Sequence, residues 1–211
     1  MKYIKMIGLA AVAVAAMMAI AGTGTASATV FCHTTSSPCP EKWKLGTEPR
    51  FIVKPGTAGI WNDTSGGIAA KCPEGELRGT ITSAGSSTET VKISVPGSGL
   101  IWKSVEGCIE TKTLEGGTLE VHAISGTDNG TVTVTGFKIT ISILGSSCIY
   151  GFGVGQTLGT LTGNGSGTAV LDIKTNFVKK EGGFICPTDL NWAEEFTQEK
   201  PSGTGLYVLS S

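Results

Sequence analysis

Charge is scarce in this chain of 211 residues: Asp, Glu, Lys and Arg make up 16% of it, with 16 basic residues against 17 acidic ones. That balance leaves no basic excess to neutralise a phosphate backbone, and so speaks against a nucleic-acid binder. Aromatic residues stand at 7% and histidines at two. The first figure is too low for the aromatic girdles of an outer-membrane barrel, and the second leaves little for a zinc site, which needs closely spaced Cys and His. Helical periodicity is nearly absent, which excludes a coiled coil. After Ile20 there is no continuous apolar run, so no membrane span is expected beyond the first residues. Metal ligands: none. Cofactor fingerprint: none.

What is abundant is small. Gly, Thr and Ser supply about two fifths of the chain from Thr29 onward. Residues 1–28 read as a signal peptide: Lys2 and Lys5 give a positive start, Ile7 to Ile20 are apolar and small, and Ala26-Ser27-Ala28 fits a small-x-small cleavage site. The mature protein is therefore expected to be secreted and extracellular. All six cysteines, Cys32, Cys39, Cys72, Cys108, Cys148 and Cys186, follow that site, and an even count in an exported chain reads as disulfides. Fifteen pairings are open to six cysteines; the expectation taken is sequential.

From Leu77 onward apolar and polar residues alternate, the mark of half-buried strands. In Gly117 to Leu144, Leu119, Val121 and Ala123 share one face, then Val132 and Val134, then Phe137, Ile139, Ile141 and Ile143. This predicts a three-stranded meander whose first hairpin turns at Asn129-Gly130, a type I′ sequence. Further strands are expected at Leu77 to Ser83, Glu89 to Val95, Cys148 to Phe152, Thr157 to Thr162, Ala169 to Lys174 and Leu206 to Leu209. Thr188 to Lys200 fits a strand or a helix capped by Thr188, with strand preferred because Trp192 and Phe196 share a strand face. Short strands at regular spacing favour a β-sandwich or a closed barrel over an α/β plan. The expected fold is all-β, a disulfide-stapled antiparallel β-sandwich of jelly-roll or immunoglobulin-like topology over residues 50–211, preceded by an irregular segment, 29–49, with a short disulfide loop.

The run Gly117-Thr-Leu-Glu-Val-His-Ala-Ile-Ser-Gly-Thr-Asp-Asn-Gly-Thr131, with Cys148-Ile-Tyr-Gly151, Leu158-Gly-Thr-Leu-Thr162 and Gly183-Phe-Ile-Cys-Pro187, resembles an uncharacterised family of secreted, disulfide-containing, β-rich actinobacterial proteins. The resemblance covers roughly residues 115 to 210. It implies an exported β-rich fold and a bacterial host, and no activity.

Reactive constellations are hard to assemble from these residues. His122 shares a strand face with Glu120, and His33 sits beside Cys32, but a polar outward position explains the first as well as catalysis does. Glu194 and Glu195 beside Trp192 form the best carboxylate pair for glycoside hydrolysis, yet neighbours on a strand point to opposite faces. Asp128 and Asn129 are explained by a turn without calcium, and the glycine runs Gly151 to Gly155 and Gly163 to Gly167 lack the following helix that a phosphate loop needs. The chain is thus read as no enzyme but as a noncatalytic cell-surface or structural protein. Its partner would be a cell-surface glycan, a protein or a second copy of itself. The alternative is a lectin-like carbohydrate-binding module in which Trp61, Trp102 or Trp192, or Trp43, stacks on sugar rings.

Overall fold

The computed structural model describes residues 28–63, 69–103, 108, 111–164 and 168–210. The expected signal peptide lies outside them, Ala28 excepted. The fold is all-β and antiparallel, with strands β1 (Thr29–Cys32), β2 (Arg50–Val53), β3 (Gly59–Asn62), β4 (Ala69–Cys72), β5 (Gly75–Arg78), β6 (Thr80–Ala84), β7 (Val91–Val95), β8 (Leu100–Trp102), β9 (Thr111–Ala123), β10 (Asn129–Ile143), β11 (Ser146–Gly151), β12 (Gln156–Thr162), β13 (Val170–Glu181), β14 (Asp189–Lys200) and β15 (Tyr207–Ser210).

Most of these strands join end to end into eight staves. β2 with β3 forms the first, β4 to β6 the second and β7 with β8 the third; β9 and β10 are the fourth and fifth, β11 with β12 the sixth, and β13 and β14 the last two. Each stave pairs with the next in chain order. The eighth returns to the first, β14 pairing with both β2 and β3. The ladder therefore closes on itself as an up-and-down barrel, a size whose interior side chains can fill. It does not divide into the two separately bonded layers of a jelly-roll or immunoglobulin-like sandwich. The apolar faces are buried all the same, because a closed sheet packs against itself and needs no second layer.

Two local expectations also change. Gly136 (φ 83°) and Phe137 (φ 62°) do not turn the chain but kink one long strand, so the expected second and third meander strands are the two halves of β10. The β9–β10 hairpin turns before Asn129-Gly130, around Gly126, with Ile124 N–H donating to Asn129 C=O. Gly130 lies within the strand, where a Cβ would come 2.7 Å from Val121 and 2.8 Å from Val208. Its glycine serves close packing rather than a turn. Of the segment Thr188 to Lys200, Asp189–Lys200 forms strand, as preferred.

The segment before Arg50 is less irregular than expected. β1 pairs with β15 as a two-stranded ribbon. Thr29 Oγ1 accepts from Ala123 N–H (2.8 Å), and Val208 N–H donates to Asp128 C=O (3.0 Å), so the ribbon lies across the barrel end that carries the β9–β10 turn. Phe31, Trp43, Leu206 and Val208 from this region are part of the main core.

The interior is apolar and nearly solid, with a residual void of about 20 Å³ among Phe51, Leu77, Ile93, Leu119, Val132 and their neighbours. That is room for about one water molecule, not a ligand chamber. The outer wall is polar. Thr131 opposes Thr160, Thr133 opposes Thr157, and Thr135 opposes Thr118, all facing outward. This polarity is the reverse of a membrane-spanning barrel, whose outer wall is apolar.

The disulfides join the cysteines in sequence order: Cys32–Cys39, Cys72–Cys108 and Cys148–Cys186. The last two close loops at the barrel end opposite the ribbon, spanning 36 and 38 residues against 7 for the first. Loop-closure entropy then predicts that replacing either long-loop pair by serines lowers the unfolding free energy by about 4 kcal/mol, against about 2.5 for Cys32–Cys39. Denaturant titration of the three double variants measures that order.

Candidate functional site

The alternation of β14 places Leu190, Trp192, Glu194, Phe196 and Gln198 on the inner face and Glu195 on the outer one. One position of an otherwise largely apolar row is thus a carboxylate. Glu194 is 3% exposed. Trp102 from β8 and Trp192 both donate their indole N–H to the same oxygen, Oε2, at 3.0 and 2.6 Å. The other oxygen, Oε1, has no partner among the described residues, and neither does the indole N–H of Trp61.

Around this carboxyl group the barrel is lined by rings. Trp61 stacks on Trp192 (5.4 Å between centroids) and on Phe177 (5.3 Å), and meets Trp102 edge-on (4.8 Å). Phe152 continues the cluster against Phe177. Trp61 and Trp192 face each other because they are register partners on β3 and β14. Gly59, one inward position earlier on β3, makes room for the acid: a Cβ there would lie 2.6 Å from the Glu194 carboxyl carbon.

Burial pushes the Glu194 carboxyl up to about 7, against the two indole hydrogen bonds, which pull it down. No charged side chain contributes to the shift. Near neutrality the group therefore hovers between acid and carboxylate inside an aromatic shell. A second buried group with a shifted pKa, Tyr150, donates to Pro187 C=O (3.1 Å) and is pushed up to about 12 by burial, with Asp63 and Asp189 nearby.

The three tryptophans singled out as sugar platforms are thus brought together, but against one another. Trp61, Trp102 and Trp192 are 1%, 5% and 2% exposed, and their faces are taken up by neighbouring rings. Trp43 is buried as well, donating to Gly205 C=O. The Glu194/Glu195 pair is split by the strand alternation: Glu195 lies outside, 2.7 Å from Lys54. His122 meets Thr133 Oγ1 (3.3 Å), while Glu120 pairs with Lys92 (3.1 Å), so the two do not form an imidazole–carboxylate couple. His33 stacks on Trp43 and contacts Gly205 C=O. Asp128 and Asn129 are engaged by the fold, Asn129 Oδ1 accepting from Gly163 N–H. Gly151 to Gly155 span the end of β11 and a turn, and residues 165–167 of the second glycine run lie outside the described residues.

The buried acid itself escaped the reading of Glu194 as one of a pair. The usable signal was its place between Trp192 and Phe196 on an apolar face, where a carboxylate is costly unless neutralised or bonded. Comparison with family models, curated proteins and solved structures gave no match for this chain.

A carboxyl whose pKa is raised from 4.5 in the unfolded chain to about 7 in the folded one favours folding most below the lower value. The contribution is lost as pH rises through the folded value. The unfolding free energy of the wild type is accordingly expected to fall by as much as about 3 kcal/mol between about pH 5 and pH 8. Glu194→Gln should flatten that part of the profile. Denaturant titrations of both proteins across the range measure the difference.

Proposed function

We propose that the chain is exported and acts outside the cell as a noncatalytic surface or structural protein, making its contacts through the outer wall of the barrel. The observation that carries this reading is the division between a filled interior and a hydroxyl-covered exterior. Three cross-strand pairs of threonines from β9, β10 and β12 present a neutral, hydrogen-bonding surface. Several charged side chains on the wall are matched in pairs, such as Lys92–Glu120, Lys54–Glu195 and Lys174–Asp172. Three disulfides fit an oxidising compartment. A wall of this kind suits many weak polar contacts to a glycan, to another protein or to a second copy of the chain.

One feature favours the carbohydrate reading as the second choice. A shallow hollow of about 370 Å³ on the outer wall lies over Ala193, bordered by Lys174, Thr175, Asn176 and Asn191. Amides and a hydroxyl around a small aliphatic floor can hydrogen-bond a sugar without the aromatic stacking that the buried tryptophans cannot give.

Two outcomes follow. Intact mass of the protein recovered from the culture medium should match a chain beginning at Thr29; retention of Met1 would refute export with cleavage. Thr131→Lys combined with Thr133→Lys should leave the melting temperature within about 4 °C of wild type while abolishing retention on the host surface. Retention unchanged in that variant and lost in Ala193→Arg would move the contact from the threonine wall to the hollow.

A further inference from the structure

Glu194 stands at an interruption in the ladder that closes the barrel. β14 pairs with β2 from Lys200 as far as Phe196, opposite Val53, and with β3 from Ala193, opposite Ile60. Between them residues 54–58 leave the sheet, and Glu194 and Glu195 face the gap. Outside the wall the gap is bridged by the Lys54–Glu195 ion pair, and Lys54 N–H donates to Glu195 C=O (2.8 Å). Inside, the Glu194 carboxyl fills the space that a side chain at Gly59 would take, and the next inward residue of β3 is Trp61, whose indole N–H has no partner among the described residues.

The other titratable groups near this seam do not answer the Glu194 charge. Lys54 and Glu195 satisfy each other on the outer face, as do Asp172 and Lys174 of β13. Asp63, which follows the last residue of β3, acts on Tyr150. From β8 and β14 the groups that meet the carboxyl are the neutral indoles of Trp102 and Trp192. Ionisation therefore places in an aromatic interior a charge that has two indole donors but no counter-ion, which is costly unless water reaches it. The nearest ladder to yield is short, three residue pairs between β3 and β14. β3 would not be lost on opening, because it remains paired with β4, which is anchored by the Cys72–Cys108 disulfide.

We propose that Glu194 is a proton-operated latch on the closing seam: protonated, it lies neutral among the indoles with the seam shut, and ionised it draws in water by releasing β3 and residues 54–58 from β14. The rise in its pKa to about 7, caused by burial, sets the transition near neutrality. A local opening of this kind is a separate event from global unfolding, and hydrogen exchange distinguishes the two.

The test is residue-resolved amide exchange by NMR on the mature chain with its disulfides intact, between about pH 5.5 and pH 8.5, corrected for intrinsic exchange rates. Those of the Ile60, Trp61 and Asn62 amides that bond to β14 are expected to lose protection at least about tenfold across that range, while those that bond to β4, and Val132, Val134 and Leu161 in the β10–β12 ladder, keep theirs. In Glu194→Gln the β3 amides should stay protected throughout. Protection of β3 that does not change with pH in the wild type overturns the proposal, as does a drop that persists in Glu194→Gln. Should that variant not fold, the wild type alone decides, since equal losses in β3 and β10 would mean global destabilisation and no latch. Direct observation of the Trp61 indole N–H in the same spectra keeps the readout separate from Trp43, whose ring is stacked on His33 outside the seam.

Discussion

Everything in this molecule depends on β14 reaching back to β2 and β3. Until that pairing forms, the first and last staves are open edges with unpaired N–H and C=O groups, and the apolar face of the sheet has nothing to pack on. Once it forms, a single sheet supplies both walls of its own core. Closure joins residues separated by more than a hundred positions, Val53 with Phe196 and Trp61 with Trp192. Only the terminal β1–β15 ribbon joins strands further apart in the chain, and it is the closure that brings the largest rings together.

The composition makes sense within that geometry. Threonines and serines occupy outward positions, where β-branched or small polar side chains suit a pleated surface, and glycines fall where staves break, kink or approach one another closely. Weak net charge is the sum of many matched pairs on the wall rather than a scarcity of interaction. Arg50 illustrates this, holding Glu76 and Glu199 from the neighbouring staves on either side. The two long disulfides and the terminal ribbon secure opposite ends of the barrel, so neither end relies on the strand ladder alone.

Glu194 breaks this separation of polar outside from apolar inside. Burial favours its neutral form against two indole donors that favour the carboxylate, and it sits where the closing ladder is broken by residues 54–58. An aliphatic residue at that position would fill the same space without a titratable group. The acid couples the state of the seam to the protonation of one side chain, and it does so in a region already rich in rings, beside an indole N–H, that of Trp61, with no partner among the described residues.

Strands, their inward faces and the disulfide framework were legible in the residue order, because alternation and cysteine count are local signals. Leu119, Val121, Val132, Ile139 and Ile141 are buried as their alternation required, and β14 is a strand because Trp192 and Phe196 share one of its faces. The same local signals could not separate a sandwich from a barrel, since both bury one face of every strand. They also misplaced the turn at Asn129-Gly130, where packing against Val208 from the chain's other end overrode turn preference. Nor could they tell whether four tryptophans spread from position 43 to position 192 stand on the surface or meet in the core. Burial of Trp61, Trp102 and Trp192 around Glu194 follows from closure, a long-range contact that leaves no mark on local periodicity. Alternation along each strand decides which side chains point inward; which of them meet there is decided by how the sheet closes.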